Sequence, residues 1–204
     1  AKALRSVATD GHRLALCDVD LPEGAKSGQQ VIVPRKGVLE LQRIVGHEDQ
    51  ILDLAIGVNH IRLQIGDIRF TSKLIDGRFP EYSRVIPNDP PRVVTAVRED
   101  LRQALQRAAI LSNEKYRGIR FGVKPNLLTI QSHNPEQEEA EEEVEVTYEG
   151  EEIEIGFNVN YLMDALAAVE GPEVQVCLTD GNSSCLIRSS ADSGARFVVM
   201  PMRL

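Results

Sequence analysis

Long apolar runs are missing from this chain of 204 residues, and nothing in it approaches the roughly 20 uninterrupted apolar residues that a membrane span requires. The amino terminus, Ala1-Lys2-Ala3, has neither an initiator Met nor a signal-peptide core, so an N-terminal part is expected to be missing. Cysteine is scarce. Cys17, Cys177 and Cys185 show no CxxC spacing and no clustered His partners, which argues against a zinc site and against an extracellular disulfide framework. A reducing cytoplasm is the expected location. The histidines His12, His47, His60 and His133 stand singly, so no metal or cofactor is expected.

Catalytic motifs are missing too. There is no GxGxxG after a strand, no GxxxxGK[ST], no HExxH and no GxSxG, the patterns that cradle phosphates, bind zinc or expose a nucleophile. One stretch, Thr9-Asp10-Gly11-His12-Arg13, gathers an Asp, a His and an Arg, and an enzyme using the Asp10–His12 pair is one reading. An Asp-Gly step between the apolar runs 4–8 and 14–17 reads better as a tight turn. The chain is expected not to be an enzyme.

What is present is enough apolar residue, 42% of the sequence, to bury one large core or two ordinary ones, since domains run about 100–150 residues. The net charge of −8 argues against whole-surface attraction to nucleic acid. Much of the acid sits in the run 136–143 and in Glu145, Glu149, Glu151, Glu152 and Glu154. This run lacks the Asp/Asn-Gly spacing of a calcium loop and reads as a solvated face that blunts a strand edge. Basic residues collect elsewhere: Arg35, Lys36 and Arg43, then Arg98, Arg102, Arg107, Lys115, Arg117 and Arg120. Composition alone makes them solvated helix faces. Their placement at helix starts and adjoining loops also suits phosphate oxygens, without sequence preference and with strong salt sensitivity.

Two stretches carry the same order of signals. Val31-Ile32-Val33 and Pro34 lead into a helix with Val38, Leu41 and Val45 on one face, then Gly46 and alternating strands over 51–70. Ile153-Glu154-Ile155 leads into Asn158 as a helix cap, then Val159, Leu162, Met163, Leu166 and Val169, with Gly171 closing the helix. Val174, Val176 and Leu178 alternate after it, followed by a 179–182 turn and strands at 185–187 and 197–200. The offset between copies is about 122–124 residues, one architecture used twice. The second copy opens with a helix whose apolar stripe is Leu101, Ala104, Leu105 and Ala108, with Glu99 and Asp100 at its positive end. The first copy has no counterpart, and by analogy it begins about 40 residues before Ala1. Ile86-Pro87-Asn88-Asp89-Pro90-Pro91 reads as a linker. The expected fold is α+β, tandem repeats of antiparallel sheets with two helices per complete domain: a truncated domain at 1–86, a linker at 87–91 and a complete domain at 92–204. The terminal Phe197-Val198-Val199-Met200-Pro201-Met202-Arg203-Leu204 is apolar and is expected to dock on the body of the protein, its Met residues suiting a groove that repacks around a partner.

Several segments together resemble a known family. Ala8-Thr9-Asp10-Gly11-His12-Arg13-Leu14-Ala15, Val33-Pro34-Arg35-Lys36, Asp76-Gly77-Arg78-Phe79-Pro80-Glu81-Tyr82, Ile110-Leu111-Ser112-Asn113-Glu114-Lys115, Asn134-Pro135-Glu136-Gln137-Glu138-Glu139-Ala140 and Met200-Pro201-Met202-Arg203-Leu204 closely resemble the bacterial sliding clamps, the beta subunits of DNA polymerase III. The resemblance runs from end to end. It implies a DNA-clamp fold and a processivity factor, three similar domains per subunit and a head-to-tail homodimer ring around double-stranded DNA, with this chain covering most of the second domain and all of the third. The implied partners are the polymerase III catalytic subunit, the clamp loader, and other polymerases and repair proteins. Positions matching the family's partner-peptide cleft are Thr9, Gly11, His12, Arg13, Leu14, Pro80, Arg84, Val85, Tyr161, Ser184, Val198, Met200, Pro201, Met202 and Arg203. Those matching its DNA contacts are Arg35, Lys36, Tyr116, Arg117 and Asn158, and those matching the ring interface are Ile110 and Leu111. A chain without the first domain is expected not to close a ring. A peptide-binding adaptor with no direct DNA role is the alternative.

Overall fold

The computed structural model describes residues 3–21, 28–46, 51–191 and 194–203; His47 and Leu204, named above, lie outside them. In chain order the elements are β1 (Ala3–Thr9), β2 (Arg13–Asp20), α1 (Arg35–Ile44), β3 (Asp53–Ile56), β4 (His60–Ile65), β5 (Ile68–Lys73), a 3-10 turn (Ser83–Val85), β6 (Arg92–Val97), α2 (Arg98–Ile110), β7 (Gly118–Lys124), β8 (Leu127–His133), β9 (Glu139–Thr147), β10 (Ile153–Asn158), α3 (Val159–Ala168), β11 (Glu173–Leu178), β12 (Cys185–Ser189) and β13 (Ala195–Val199). None of the described helices is long and apolar enough to cross a membrane. Contacts divide the described residues into two compact units, one within 28–81 and one of 3–21 with 82–203.

In the first unit β3, β4 and β5 form an antiparallel meander, with Leu54 opposite Leu63 and Leu63 opposite Phe70. Ile61, Leu63, Ile65 and Leu74 are its buried hydrophobic side chains among the described residues. Of the residues that the apolar period puts on one face, Val38 is 50% exposed and Val45 39%. The residue of α1 that is buried is Gly37. A Cβ at Gly37 would lie 2.8 Å from Ser72 Oγ, so the helix backbone approaches β5 where no side chain intervenes. The described part of this unit holds no second helix for Val38 and Val45 to pack against.

The second unit is one antiparallel sheet in the order β1-β2-β13-β12-β11-β6-β9-β8-β7-β10. Its main core combines alternate strand residues with the stripes of both helices: Leu101, Ala104, Leu105 and Ala108 of α2, and Val159, Leu162, Ala165 and Leu166 of α3. Each stripe follows the 3.6-residue period. Arg98 closes the far end of α3 through bonds from Nη1 to Leu166 O at 3.3 Å, a carbonyl that the helix end leaves open, and from Nε to Gly171 O just beyond the helix at 2.9 Å. Successive side chains of a strand point to opposite faces, and β13 sends Val199 into the main core but Val198 into a smaller cluster with Leu14, Leu16, Cys177 and Leu186. The acidic run becomes strand β9, where Glu139, Glu141, Glu143 and Glu145 are exposed. Glu142 turns the other way, and both its oxygens accept from Arg107 of α2, at 2.9 and 2.7 Å.

Candidate partner-binding site and nucleic-acid face

The turn between β1 and β2 is held by its own side chains. Asp10 Oδ1 accepts the backbone N–H groups of His12 and Arg13, each at 3.0 Å. Thr9 Oγ1 donates to Arg13 O at 2.8 Å and accepts from Gly11 N at 3.2 Å. Gly11 adopts φ 88°, a left-handed conformation that costs glycine little and other residues more. Burial raises Asp10, but the N–H groups of His12 and Arg13 and the Arg13 guanidinium outweigh it and hold the carboxyl below its ordinary range. Such a carboxylate is a poor general base at neutral pH, and both its oxygens already accept hydrogen bonds, Oδ1 from His12 N and Arg13 N and Oδ2 from Arg13 Nε.

The same turn delivers Arg13 and His12 to α3. The Arg13 guanidinium lies 4.6 Å from the Tyr161 ring centroid, with Nε 3.1 Å from Asp10 Oδ2 and Nη1 2.5 Å from Asp164 Oδ2. The His12 ring is stacked on Tyr161 at 6.3 Å and 22°. The hydrogen bond to Asp164, ahead of that to Asp10, keeps Arg13 above its ordinary value. Tyr161 and Asp164 are three residues apart and share a helix face.

The carboxyl-terminal segment lies alongside. Leu14 is opposite Val198 and Arg13 opposite Val199; beyond β13, Met200 N donates to His12 O and Met202 N to Gly156 O, both at 2.9 Å. The expected docking of this segment is thus present. Leu14 and Val198 are buried, Pro201 and Met202 half-buried, Met200 and Arg203 exposed. Thr9, Gly11, His12, Arg13, Leu14, Tyr161, Val198, Met200, Pro201 and Met202 therefore belong to one connected set. Ser184 Oγ donates to Val85 O at 2.9 Å, joining the exposed Arg84 and Val85 to β12. Pro80 is exposed and belongs to the other compact unit.

A second group forms at the start of α3. Asn113 Oδ1 accepts from Lys115 N at 2.9 Å and from Tyr116 N at 3.1 Å, and Asn113 O accepts from Arg117 N at 2.8 Å. Arg117 takes φ 50°. Asn158 caps the helix by accepting from Asn160 N at 2.9 Å and donates through Nδ2 to Tyr116 O at 3.2 Å. Tyr116, Arg117 and Asn158 are therefore adjacent, with Lys115 Nζ 5.1 Å from the Tyr116 ring centroid. A cavity of about 400 Å³ lined by Tyr116, Asn113, His133, Met202 and Arg203 borders this group. Arg35 and Lys36 are exposed at the start of α1 in the first unit. Ile110, 75% exposed, ends α2, and Leu111 follows it half-buried. No group of three or more metal-ligating side chains occurs among the described residues.

The family model described as DNA polymerase III beta subunit, central domain, matches residues 1–81, and that described as its C-terminal domain matches residues 83–203. The chain belongs to the DNA polymerase III beta subunit family. It is 52% identical over 201 residues to the beta sliding clamp of Pseudomonas aeruginosa and 54% identical over 201 residues to that of Escherichia coli K12, in each case across 98% of this chain and 55% of the relative. The crystal structure of the Pseudomonas aeruginosa DNA polymerase III subunit beta superposes with a TM-score of 0.96 at 51% identity, covering 100% of this chain and 56% of that one. The chain thus spans about half the length of these beta subunits, and the α+β clamp fold expected from the sequence is present.

Two residues of these groups escaped the sequence reading. Asp164 left a faint signal: α3, Val159–Ala168, contains no basic residue, so an ion partner for its one acid had to come from elsewhere in the chain. Asn113 left none, because its turn is fixed by backbone groups of residues that follow it. Asn158→Ala removes a helix cap and is expected to cost about 1 kcal/mol in chemical denaturation, while Asn158→Asp, which keeps the acceptor, restores most of it.

Proposed function

We propose that this chain forms the central and carboxyl-terminal part of a processivity clamp, a non-catalytic ring component that encircles duplex DNA and holds polymerases beside it. The observation that carries the reading is the junction of the 9–13 turn, the 198–202 segment and Tyr161, tied by the Met200 N to His12 O bond and by the Arg13 contact with Tyr161. It offers a half-buried apolar surface with a few oriented polar groups, the make-up of a site for a short peptide. The cleft comprises the positions named from the family resemblance; Arg84, Val85, Ser184 and Arg203 belong to the same compact unit as the 9–13 turn, and Pro80, in the other unit, is included on the resemblance alone. Its ligands are the tails of the polymerase III catalytic subunit, the clamp loader, and other polymerases and repair proteins, in a bacterial cytoplasm. The domain division at 1–86, 87–91 and 92–204 is part of this reading; the family matches change over at residue 82, five residues before the proposed linker.

Arg35, Lys36, Tyr116, Arg117 and Asn158 face DNA in this proposal. Contacts of this kind go to phosphates and leave the base sequence unread, so the clamp slides while its ring topology keeps a tethered polymerase at high effective concentration. Ile110 and Leu111 meet a neighbouring subunit in the complete homodimer ring. Calorimetric titration with a short polymerase-tail peptide tests the cleft. Binding at micromolar strength or better, weakened by about 1 kcal/mol or more by Met202→Ala, is the expected result; a chain that binds no such peptide refutes the assignment of this surface.

A further inference from the structure

The charges around Arg13 have a consequence for what the peptide site accepts. Two carboxylates already share this guanidinium: Asp10 through Nε at 3.1 Å and Asp164 through Nη1 at 2.5 Å. Nη2 has no hydrogen-bond partner among the described residues. Arg13 is 36% exposed at its side chain and lies over Tyr161, so the unshared N–H donors are within reach of a ligand beside the ring. One cation and two anions leave this trio with a net charge of −1. An incoming carboxylate would find a donor but also two like charges a few ångströms away. A carboxamide or a backbone carbonyl would find the same donor without that repulsion.

We propose that Asp164 is a specificity-determining residue of the peptide site: it positions Arg13 over Tyr161 and, with Asp10, turns the open N–H donors toward a neutral oxygen acceptor in preference to a carboxylate. This rests on the peptide-site reading above. Of the two acids, Asp164 is the one that sets selectivity independently of the fold. Asp10 also holds the turn through the N–H groups of His12 and Arg13, whereas Asp164, with a side chain 67% exposed, has its one ion-pair partner among the described residues in Arg13. Selectivity here comes from a built-in repulsion against the wrong ligand.

The test uses the full chain and a polymerase-tail peptide in which each position outside the apolar anchors carries Gln or Glu in turn. At one position the Glu form should bind about tenfold more weakly than the Gln form, and Asp164→Asn should shrink that ratio to about threefold or less, while Asp164→Glu preserves it. The ratio should also fall as salt is raised, since partly exposed charges are screened. Equal binding of Gln and Glu forms at every position, or a ratio untouched by Asp164→Asn, overturns the inference while leaving the peptide site standing. A wild-type chain that binds none of the peptides removes the peptide-site reading, and this inference with it.

Discussion

Phe157→Ala should destabilise the second unit by about 3–5 kcal/mol, the range for deleting a buried aromatic ring from a close-packed core. Phe157 is fully buried and meets Phe121 edge to face, centroids 5.6 Å apart at 74°. It also sits opposite Ile119 in the β10–β7 pairing and immediately precedes Asn158. The cavity would therefore open beneath the helix start that orders Tyr116 and Arg117. The sequence has no Trp, so urea denaturation followed by circular dichroism is the measurement. Val58→Ala, at a fully exposed position in the first unit, should be within about 0.5 kcal/mol of wild type and serves as the comparison. A Phe157→Ala chain as stable as Val58→Ala would contradict the packing described here.

The largest effect on binding is expected from Tyr161→Ala. Its ring is the surface against which both Arg13 and His12 rest, so truncation removes the apolar platform and frees two side chains that it orders. Central aromatic anchors of interfaces typically cost about 2 kcal/mol or more on truncation, close to thirtyfold in affinity. Tyr161 is half-buried in the first turn of α3, so the fold should tolerate the change with a far smaller loss. Tyr161→Phe should retain most of the affinity because the ring remains. Calorimetry with one polymerase-tail peptide across the three chains measures this, and unchanged affinity in Tyr161→Ala would place the peptide elsewhere.

Elements whose burial is decided locally were legible in the sequence. The stripe Leu101, Ala104, Leu105, Ala108 predicts the four buried residues of α2, and Asn158 predicts the cap of α3. Asp10-Gly11 predicts a turn, and its hydrogen bonds show why the Asp belongs there. The helix α1 was legible from its apolar period, but not what it packs with, because that contact is decided by how near Gly37 lets the backbone come to Ser72. The candidate site was legible only in pieces. His12, Tyr161 and Met200 are remote in sequence, and the strand register that unites them is a tertiary fact. Asp164 left only a faint signal for the same reason, since its partner Arg13 lies on another element.

The pairing of Ala15 with Phe197 across β2 and β13 has a bearing on biosynthesis. The hairpin of β1 and β2 must wait for the residues up to 199 to be synthesised before its sheet neighbour β13 exists. Contacts between such distant residues carry a large loop-closure cost and are slow to form. Until β13 is synthesised, Leu14 and Leu16 have no Val198 to cover them, and the turn at 9–13 has no Met200 to fasten it. On the proposed peptide-site reading, the surface for a partner peptide is therefore incomplete until β13 and the segment after it have been made and have paired with β2.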